Sequence, residues 1–507
     1  MKKASTILFD LIKSLSSPEK RYFSLYAQRH VLGEKNNYLS LFERIASQDR
    51  YDEDAIRSSL SGQKSADYFP VAKHQLYHLV LDSLHNFYAQ GTDSVQIAKL
   101  LHQGELLLER GFAEAGRRLW GKAGKIATEQ ESYEWMPAIL RQENRLLARS
   151  ELGKLSADAL DEKMEEELAY LEILKTEATY WHLLIRIYRY HNLRGAARDE
   201  QERQRVQALM QHPLLQDEGL ARSFTARLYF YQIWGTNHFV QGDLEQAYLF
   251  NRKRIELFHD APAHIRRMPD RYLSAMHNFL VDCLKLGREA EFRQSLAYIR
   301  KIAADPAIRK VPRLPGEIFR LTYMVELNQH VNAGAFARGL ELLPDVKKGL
   351  ELHQSQITAA NRTIFDYLIA YTYFGAGDHS SALRWLNRLL QAGEKESLQH
   401  IHATARLFNL ILHYEMGNHD LLESMIRSTQ RYLQHIDELY ELETSFIRAF
   451  RRVINAATES ETREIWRGLR ESIDAHTGDP EQNQLLQYFD FMGWLDAKIE
   501  GRVFGKK

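Results

Sequence analysis

Eight glycines recur along the chain at nearly constant intervals, and this regularity limits the possible fold more than any other feature. The intervals are 42, 42, 47, 45, 47, 43 and 40 residues. A globular domain has no reason to space its turns so evenly, whereas an array of helical units turns once in every unit. The spacing therefore predicts repeated pairs of helices. The eight are Gly111, Gly153, Gly195, Gly242, Gly287, Gly334, Gly377 and Gly417.

One of these units is written most completely between residues 231 and 250. Tyr231, Trp234 and His238 recur at three or four residues, which places them on one face of a helix. Gly242 can end that helix with a positive φ, and Asp243 can cap the helix that follows. The stretch predicts a helix, a tight turn and a second helix.

Two small residues in this unit indicate close packing. Gly235 and Ala247 are expected to face each other, so that the two helices approach closely. Related patterns occur between residues 104 and 120 and between residues 369 and 386. The same kind of helix pair is therefore predicted along most of the chain.

These residues resemble the tetratricopeptide repeat (TPR), in which an aromatic, a large residue with glycine, and an alanine recur at fixed offsets. The resemblance covers about residues 95–475 and departs from the pattern at His238 and Asn251, where the family has aromatic residues. The period also exceeds the roughly 34 residues of the standard repeat, which indicates a version with longer helices. The opening of the chain is similar to that of uncharacterised bacterial TPR-like proteins. The resemblance implies an all-α, right-handed α-solenoid of antiparallel helix pairs.

The chain divides into three predicted parts. Residues 1–90 do not follow the repeat and predict a small helical domain of about five helices. Residues 91–479 carry the TPR-like repeats, including Cys283, the only cysteine, which is expected to be a buried apolar side chain. Residues 480–507 predict a capping helix and tail, because the last repeat of a solenoid needs its open face covered. The apolar stripe of that helix is Leu485, Phe489, Met492, Leu495 and Ile499.

Charge and hydropathy indicate a cytoplasmic protein without a membrane segment. The 67 Lys and Arg balance 67 Asp and Glu, so no overall field draws the chain to nucleic acid or to anionic lipid. No apolar run approaches the ~20 residues of a membrane span. A locally basic band, residues 252–320, leaves contact with nucleic acid as an unfavoured possibility. The acidic helix of residues 158–172 carries an apolar stripe, Leu160, Met164, Leu168, Leu171 and Leu174, and a charged outside that is expected to be solvated.

The sequence contains no recognised catalytic, cofactor or metal motif. There is no phosphate-binding glycine loop, nucleophile elbow or His-Glu-x-x-His pair. His74, His78, Asp82 and His85 share one side of a helix, which is interpreted as a solvated polar face, with a partner-binding face and a metal site as lesser alternatives. We therefore expect no cofactor, no metal and no enzymatic activity.

A strip of polar and aromatic side chains is the predicted partner-binding surface. In TPR-like proteins the first helix of each pair lines a concave face, so the resemblance implies which surface is used. Aromatic and arginine anchors typically dominate interface energies. The alternative is that the aromatic residues fill the gap between neighbouring repeats. The strip consists of Arg186, Arg189, Asn192, Tyr229, Gln232, Phe239, His277, Tyr367, Tyr371 and Phe374.

The favoured function is a non-enzymatic scaffold that binds a peptide or an extended protein segment along this strip. A second hypothesis is a transcriptional or signalling regulator with an N-terminal effector domain and a TPR-like peptide sensor. A third is an enzyme with an unrecognised site. The sequence does not decide the oligomeric state or the partner.

Overall fold

The fold is described from a computed structural model, which covers residues 6–29, 37–59, 69–88, 93–150, 156–192, 200–309, 311, 314–392, 398–435, 441–476 and 488–505. Helices make up 86% of these residues and none of them lies in a strand, so the predicted all-α class is confirmed for this part of the chain. Two of the predicted turn glycines, Gly153 and Gly195, fall outside it, as do Leu485 and the side chain of Asn192.

Within these ranges the helices follow one another with short connections, and neighbours in the chain pack against each other. In chain order they are α1 (Ile7–Ser14), α2 (Ser17–Arg29), α3 (Asn37–Ser47), α4 (Glu53–Ser59), α5 (Phe69–Tyr88), α6 (Asp93–Glu109), α7 (Ala113–Glu129), α8 (Met136–Ser150), α9 (Ala157–Asn192), α10 (Glu200–Met210), α11 (Pro213–Gln216), α12 (Phe224–Gln241), α13 (Leu244–Asp260), α14 (Ala263–Arg267), α15 (Pro269–Lys285), α16 (Glu289–Ala303), α17 (Pro306–Arg309), α18 (Leu314–Asn332), α19 (Phe336–Leu352), α20 (Ala359–Gly375), α21 (His379–Gln391), α22 (Gln399–Glu415), α23 (His419–His435), α24 (Glu441–Val453), α25 (Glu459–His476) and α26 (Phe491–Glu500).

The chain forms two compact units. The first contains residues 1–180 and 219–226, and the second contains residues 181–218 and 227–507. In the first unit, α1 to α5 close around one core that includes Ile12, Phe23, Ile45 and Val80. The largest core of the second unit runs through α18 to α26. The predicted boundaries at residues 90 and 479 remain predictions.

The sequence predicts the first five helices near residues 7–15, from Ser17 onward, near 38–47, near 52–60 and from 70 to about 89, and α1 to α5 lie at these places. The start of α2 differs by one position, because Ser17, the predicted N-cap, already belongs to the helix. The backbone N–H of Ser16 donates to a carboxylate oxygen of Glu19 at 2.6 Å, and the Ser16 hydroxyl donates to the same oxygen at 2.5 Å. Glu19 therefore reaches back to the Ser16 N–H, as the glutamate of a capping box does.

The turn glycines are confirmed at all six positions that the structure describes. Gly111, Gly242, Gly287, Gly334, Gly377 and Gly417 have φ between 63° and 87°, the left-handed region that a side chain disfavours. After each one, the next residue donates its N–H to the carbonyl five positions earlier, as Asp243 does to His238 at 2.9 Å. This is the Schellman helix ending. Asp243 then caps α13 by accepting from the Gln246 N–H at 3.2 Å.

The packing partner predicted for Gly235 is wrong by one turn. The side chain closest to Gly235 is that of Asn251 and not that of Ala247. Ala247 is fully buried, as expected for a small residue inside a helix pair.

One long helix replaces two predicted ones. The acidic segment 158–172 and the segment that carries Arg186 and Arg189 belong to a single helix, α9, of 36 residues. No glycine or proline interrupts residues 157–192, and Glu, Leu, Ala and Lys, which favour helix, prevail there. The repeat therefore does not turn within this range.

The last described helix begins at Phe491, and two residues of the predicted stripe, Phe489 and Leu495, are fully buried as expected. Phe491 and Trp494, which lie off the predicted stripe, are fully buried, whereas Met492 and Ile499 are only half-buried. Trp494 packs against Trp466 with ring centroids 5.1 Å apart, and Phe491 packs against Phe446 at 4.6 Å. The helix therefore packs on α24 and α25 through these side chains.

Candidate functional site

The three aromatic residues predicted on α20 lie in the interior of the second unit. Tyr367, Tyr371 and Phe374 are all buried, and Phe374 packs against Phe408 with ring centroids 5.1 Å apart. Phe489 stacks on Tyr371 at 4.7 Å. The expectation of an open aromatic strip does not hold here. These side chains instead pack against neighbouring helices, which is the alternative given in the sequence analysis. The segment before α26, which contains Phe489, covers them.

Backbone hydrogen bonds join that segment to the same tyrosines. The Tyr367 hydroxyl donates to the carbonyl oxygen of Tyr488 at 3.0 Å, and the N–H of Asp490 donates to the Tyr371 hydroxyl oxygen at 2.9 Å. Burial raises the pKa of both tyrosines, so the hydroxyls stay protonated. These two residues are structural in this arrangement.

Gln232, one of the predicted residues on α12, belongs to a largely buried chain of polar side chains. Gln232 hydrogen-bonds through its amide nitrogen to the Tyr188 hydroxyl on α9, and its amide oxygen accepts from Arg254 at 3.2 Å. Arg254 also donates to Asn251 at 3.2 Å, and Asn251 donates to Asp282 at 2.7 Å. We call Tyr188, Gln232, Arg254, Asn251 and Asp282 the buried polar chain.

The buried polar chain contains two charged side chains that are not in contact with each other. Arg254 is only 1% exposed, and burial lowers its pKa to about 10. Burial raises the pKa of Asp282 to about 6, against the opposing effects of the Asn251 hydrogen bond and of the Lys285 and Arg254 charges. Both groups are charged at neutral pH, with neutral Asn251 between them. Since its members come from α9, α12, α13 and α15, the chain ties these four helices in one register.

Tyr229 lies one turn before Gln232 and contacts α15, the first helix of the next pair. Its hydroxyl oxygen accepts from Arg271 at 2.8 Å, and the Arg271 guanidinium lies 4.9 Å from the centre of the ring. Trp181, on α9, lies 5.8 Å from the same ring between centroids. Tyr229 itself is buried, so it packs against its neighbours and contributes little accessible surface.

An exposed face of α9 adjoins this support. Arg186 and Arg189, both predicted site residues, are exposed. On the same helix Trp181 is 45% exposed and Ile185 is 43% exposed. Trp181, Ile185 and Arg189 recur every four residues and therefore share one side of the helix. We call Trp181, Ile185, Arg186 and Arg189 the Trp181 surface.

Sequence reasoning missed Trp181 and Ile185, although their four-residue spacing is visible in the sequence. Large apolar residues at that spacing usually mark the buried side of a helix, so the spacing alone does not indicate an exposed surface. The buried side of this part of α9 consists instead of Leu183, Leu184 and Ile187.

The two remaining predicted residues, Phe239 and His277, lie on α12 and α15. Phe239 lies under the Lys285 ammonium, 5.1 Å from the ring centre. The Nδ1 atom of His277 has no hydrogen-bond partner among the residues that the structure describes. Burial together with the nearby Arg320 charge lowers the pKa of His277 to about 4. His277 is therefore neutral at physiological pH.

A cleft of about 230 Å³ lies between α13, α15 and α16. Its floor is apolar, with Ile255, Met276 and Phe279. The carboxylates at its edge already have partners, because Glu256 pairs with Arg252 at 2.8 Å and Glu291 accepts from the Tyr248 hydroxyl at 2.5 Å. No nucleophile and base are in hydrogen-bond contact there.

Part of the basic band of residues 252–320 is paired with neighbouring carboxylates. Arg254 is buried in the polar chain, and Arg252 and Lys253 pair with Glu256 and Glu218. Four further arginines of the band pair with glutamates: Arg288, Arg293, Arg300 and Arg320.

Metal-type side chains do not gather in groups of three or more among the residues that the structure describes. His74 and His78 are neighbours on α5, with ring nitrogens 3.3 Å apart, and both are exposed. No helix within the described ranges is both long enough and apolar enough to cross a bilayer.

Comparison with known proteins finds no family model that matches the chain and no curated protein that matches it.

Proposed function

We propose that the chain is a non-enzymatic, protein-binding scaffold whose Trp181 surface holds a segment of a partner protein. The observation that carries this proposal is the exposure of Trp181 and Ile185 beside Arg186 and Arg189. Tryptophan and arginine are the residue types that most often anchor protein interfaces. An exposed tryptophan on a rigid helix is also a low-cost anchor, because few torsions are lost on binding.

Rigidity behind this surface supports the same function. Tyr188 lies between Ile185 and Arg189 on α9 and anchors the helix to Gln232. Trp181 rests against Tyr229, which Arg271 holds from the other side. A surface that keeps its shape when free loses less entropy when a partner binds.

We further propose that the helix pairs continue as a right-handed TPR-like solenoid. The support is that first helices of successive pairs contact each other in order: α15 contacts α18, α18 contacts α20, and α20 contacts α22. Stacking of this kind, unit on unit, is how repeat arrays bury a continuous core. Small-angle X-ray scattering of the purified protein tests this, since a globule of the same mass would give a distinctly shorter maximum dimension.

The binding proposal is tested by site-specific photo-crosslinking in extracts of the native host. A photoreactive phenylalanine analogue replaces Ile185 in one protein and Leu249, which is 45% exposed on α13, in the matched control. We expect a defined partner to crosslink at 185 and not at 249, and to persist after nuclease treatment. Loss of the crosslink after nuclease would favour nucleic acid instead.

A second variant measures the energetic part of the proposal. Trp181→Ala should weaken binding of the captured partner by about 2 kcal/mol, or roughly 30-fold in Kd, as expected for an interface anchor. Leu249→Ala should leave the affinity unchanged. Equal crosslinking at both positions, or an unchanged affinity for Trp181→Ala, would remove the Trp181 surface as the binding site.

A further inference from the structure

The N-terminal half of α9, in the first unit, exposes a stripe of large apolar side chains. Met164 is 53% exposed, Leu168 is 64% exposed and Leu171 is 44% exposed. They recur at steps of four and three residues, so they form one line along the helix. We call these three residues the α9 stripe. Its position in the fold is unexpected, because the sequence predicts that this stripe packs inward.

The inward side of the helix is a different one. Tyr170 packs against Tyr133 with ring centroids 5.6 Å apart, and Glu167 accepts from the Asn144 amide at 2.8 Å. α9 is thus held to the 3₁₀ turn at Tyr133–Trp135 and to α8 by a mixed polar and aromatic face. The α9 stripe is left facing solvent.

Carboxylates follow one edge of the stripe. Asp158, Asp161, Glu165 and Glu172 lie on the same side of the apolar line, and we call them the acidic edge. Glu172 pairs with Lys175 at 3.2 Å. Over the ranges that the structure describes, the ion pairs involve none of the other three. The edge therefore presents negative charge beside an apolar surface.

We propose that the α9 stripe docks an amphipathic helix of a partner protein whose apolar face is bordered on one side by Lys or Arg. Steps of four and three residues are the spacing at which one helix packs along another. The cationic border of the partner would lie against the acidic edge, which adds selectivity and speeds association.

Charge excludes the two other common occupants of an apolar helix face. The acidic edge is repelled by anionic lipid headgroups, which attract basic helices and not acidic ones. A second copy of the chain would bring identical carboxylates into the shared interface, where like charges cost free energy. A basic amphipathic helix is the occupant for which both the apolar line and the charged edge are favourable.

The test uses the full chain and synthetic helical peptides of about 18 residues, roughly 27 Å of helix. The Leu/Lys peptide forms a helix with an apolar Leu face bordered by Lys. The scrambled peptide has the same composition in another order. The Leu/Glu peptide has Glu in place of Lys. Fluorescence anisotropy measures each Kd. We expect the Leu/Lys helix to bind at least tenfold more tightly than either control peptide.

Variants decide whether binding occurs at the α9 stripe. Leu168→Asn should weaken the Leu/Lys peptide at least tenfold, whereas Leu352→Asn, at an apolar residue 73% exposed on α19, should not change its Kd. Because both side chains are already in water, neither change should impair folding. Asp161→Lys combined with Glu165→Lys should transfer the preference to the Leu/Glu peptide.

Several results would overturn the proposal. Equal affinity for the ordered and scrambled peptides would show only nonspecific attraction of cations. An unchanged Kd for Leu168→Asn would place the peptide elsewhere. A dimer in light scattering that Leu168→Asn dissociates would assign the stripe to a second copy. The Trp181 surface would be unaffected by any of these results, since it uses other residues.

Discussion

Asn251 lies directly against Gly235, so that a β-carbon at residue 235 would come within 3.2 Å of the Asn251 Oδ1 atom. In the TPR pattern that the sequence resembles, an aromatic residue is usual at the offset of Asn251. The smaller, polar side chain turns the contact between α12 and α13 into a hydrogen-bonding position. From there Asn251 reaches both Arg254 and Asp282, and so makes the buried polar chain possible.

Asp282 should make the protein less stable as pH rises from about 4 to about 6. Burial raises the pKa of Asp282 to about 6 in the folded state, from the 3.8 that is usual for an aspartate. The folded state therefore holds a proton that the unfolded state releases, and raising the pH favours unfolding. The full effect is about 3 kcal/mol.

Urea unfolding of the wild type and of Asp282→Asn at several pH values checks this. The stability of the wild type should fall relative to that of the variant across this pH window, with no further change above it. The comparison isolates Asp282, because Asp366, whose pKa burial also raises to about 6, is present in both proteins. A constant difference between the two at all pH values would contradict the prediction.

Two glycines inside helices should respond to alanine in opposite directions. In α19, a β-carbon on Gly349 would overlap the ring of Phe319, whereas one on Gly468, in α25, meets nothing within 4 Å. Gly349→Ala should destabilise by about 1–3 kcal/mol through overpacking. Gly468→Ala should stabilise by up to about 1 kcal/mol, because alanine favours helix. Thermal melts followed by circular dichroism compare the two. Equal shifts of Tm would mean that the α18–α19 contact is looser than the structure has it.

Local signals made much of the fold predictable from the sequence. The turn glycines need a left-handed backbone, and Asp243 has a side chain of the right length to cap α13. Both requirements are set within a few residues, so they are visible in the sequence. The five N-terminal helices are predicted for the same reason, since each has its own apolar spacing.

Tertiary choices were not predictable in the same way. The α9 stripe and the Trp181 surface have the spacing of a buried helix face, yet both are exposed. The opposite error occurred at Tyr371, which looked free to meet a ligand. Its partner, Phe489, lies more than a hundred residues further on, and no local pattern signals such a contact. Arg254 was likewise part of a basic band in the sequence and is a buried link in the structure.

Tyr371 should behave as a packing residue. Truncation in Tyr371→Ala removes a buried ring that stacks on Phe489, and we expect a loss of about 3–5 kcal/mol. Tyr371→Phe keeps the ring but leaves the Asp490 N–H unpaired, which should cost about 1–3 kcal/mol. Guanidinium unfolding measures both. An Ala variant as stable as the wild type would mean that α20 offers this ring to solvent or to a ligand after all.

Glu415 should couple energetically to Lys498 and so fix α26 on the second unit. Its carboxylate accepts from the Trp494 indole N–H at 2.7 Å and pairs with the Lys498 ammonium at 2.7 Å. The two charged side chains are only 14% and 20% exposed, so water screens the pair weakly.

Glu415→Gln keeps an acceptor for Trp494 but leaves Lys498 without its carboxylate, while Lys498→Met leaves Glu415 uncompensated. Each single change should cost about 1.5–3 kcal/mol, the range for hydrogen bonds to charged groups. The double variant should cost less than the two single changes together, with a coupling of at least about 1 kcal/mol. Chemical unfolding followed by tryptophan fluorescence measures the cycle, since Trp494 and Trp466 both lie at this contact. Costs that add within about 0.3–0.5 kcal/mol would show that the pair does not hold α26 in place.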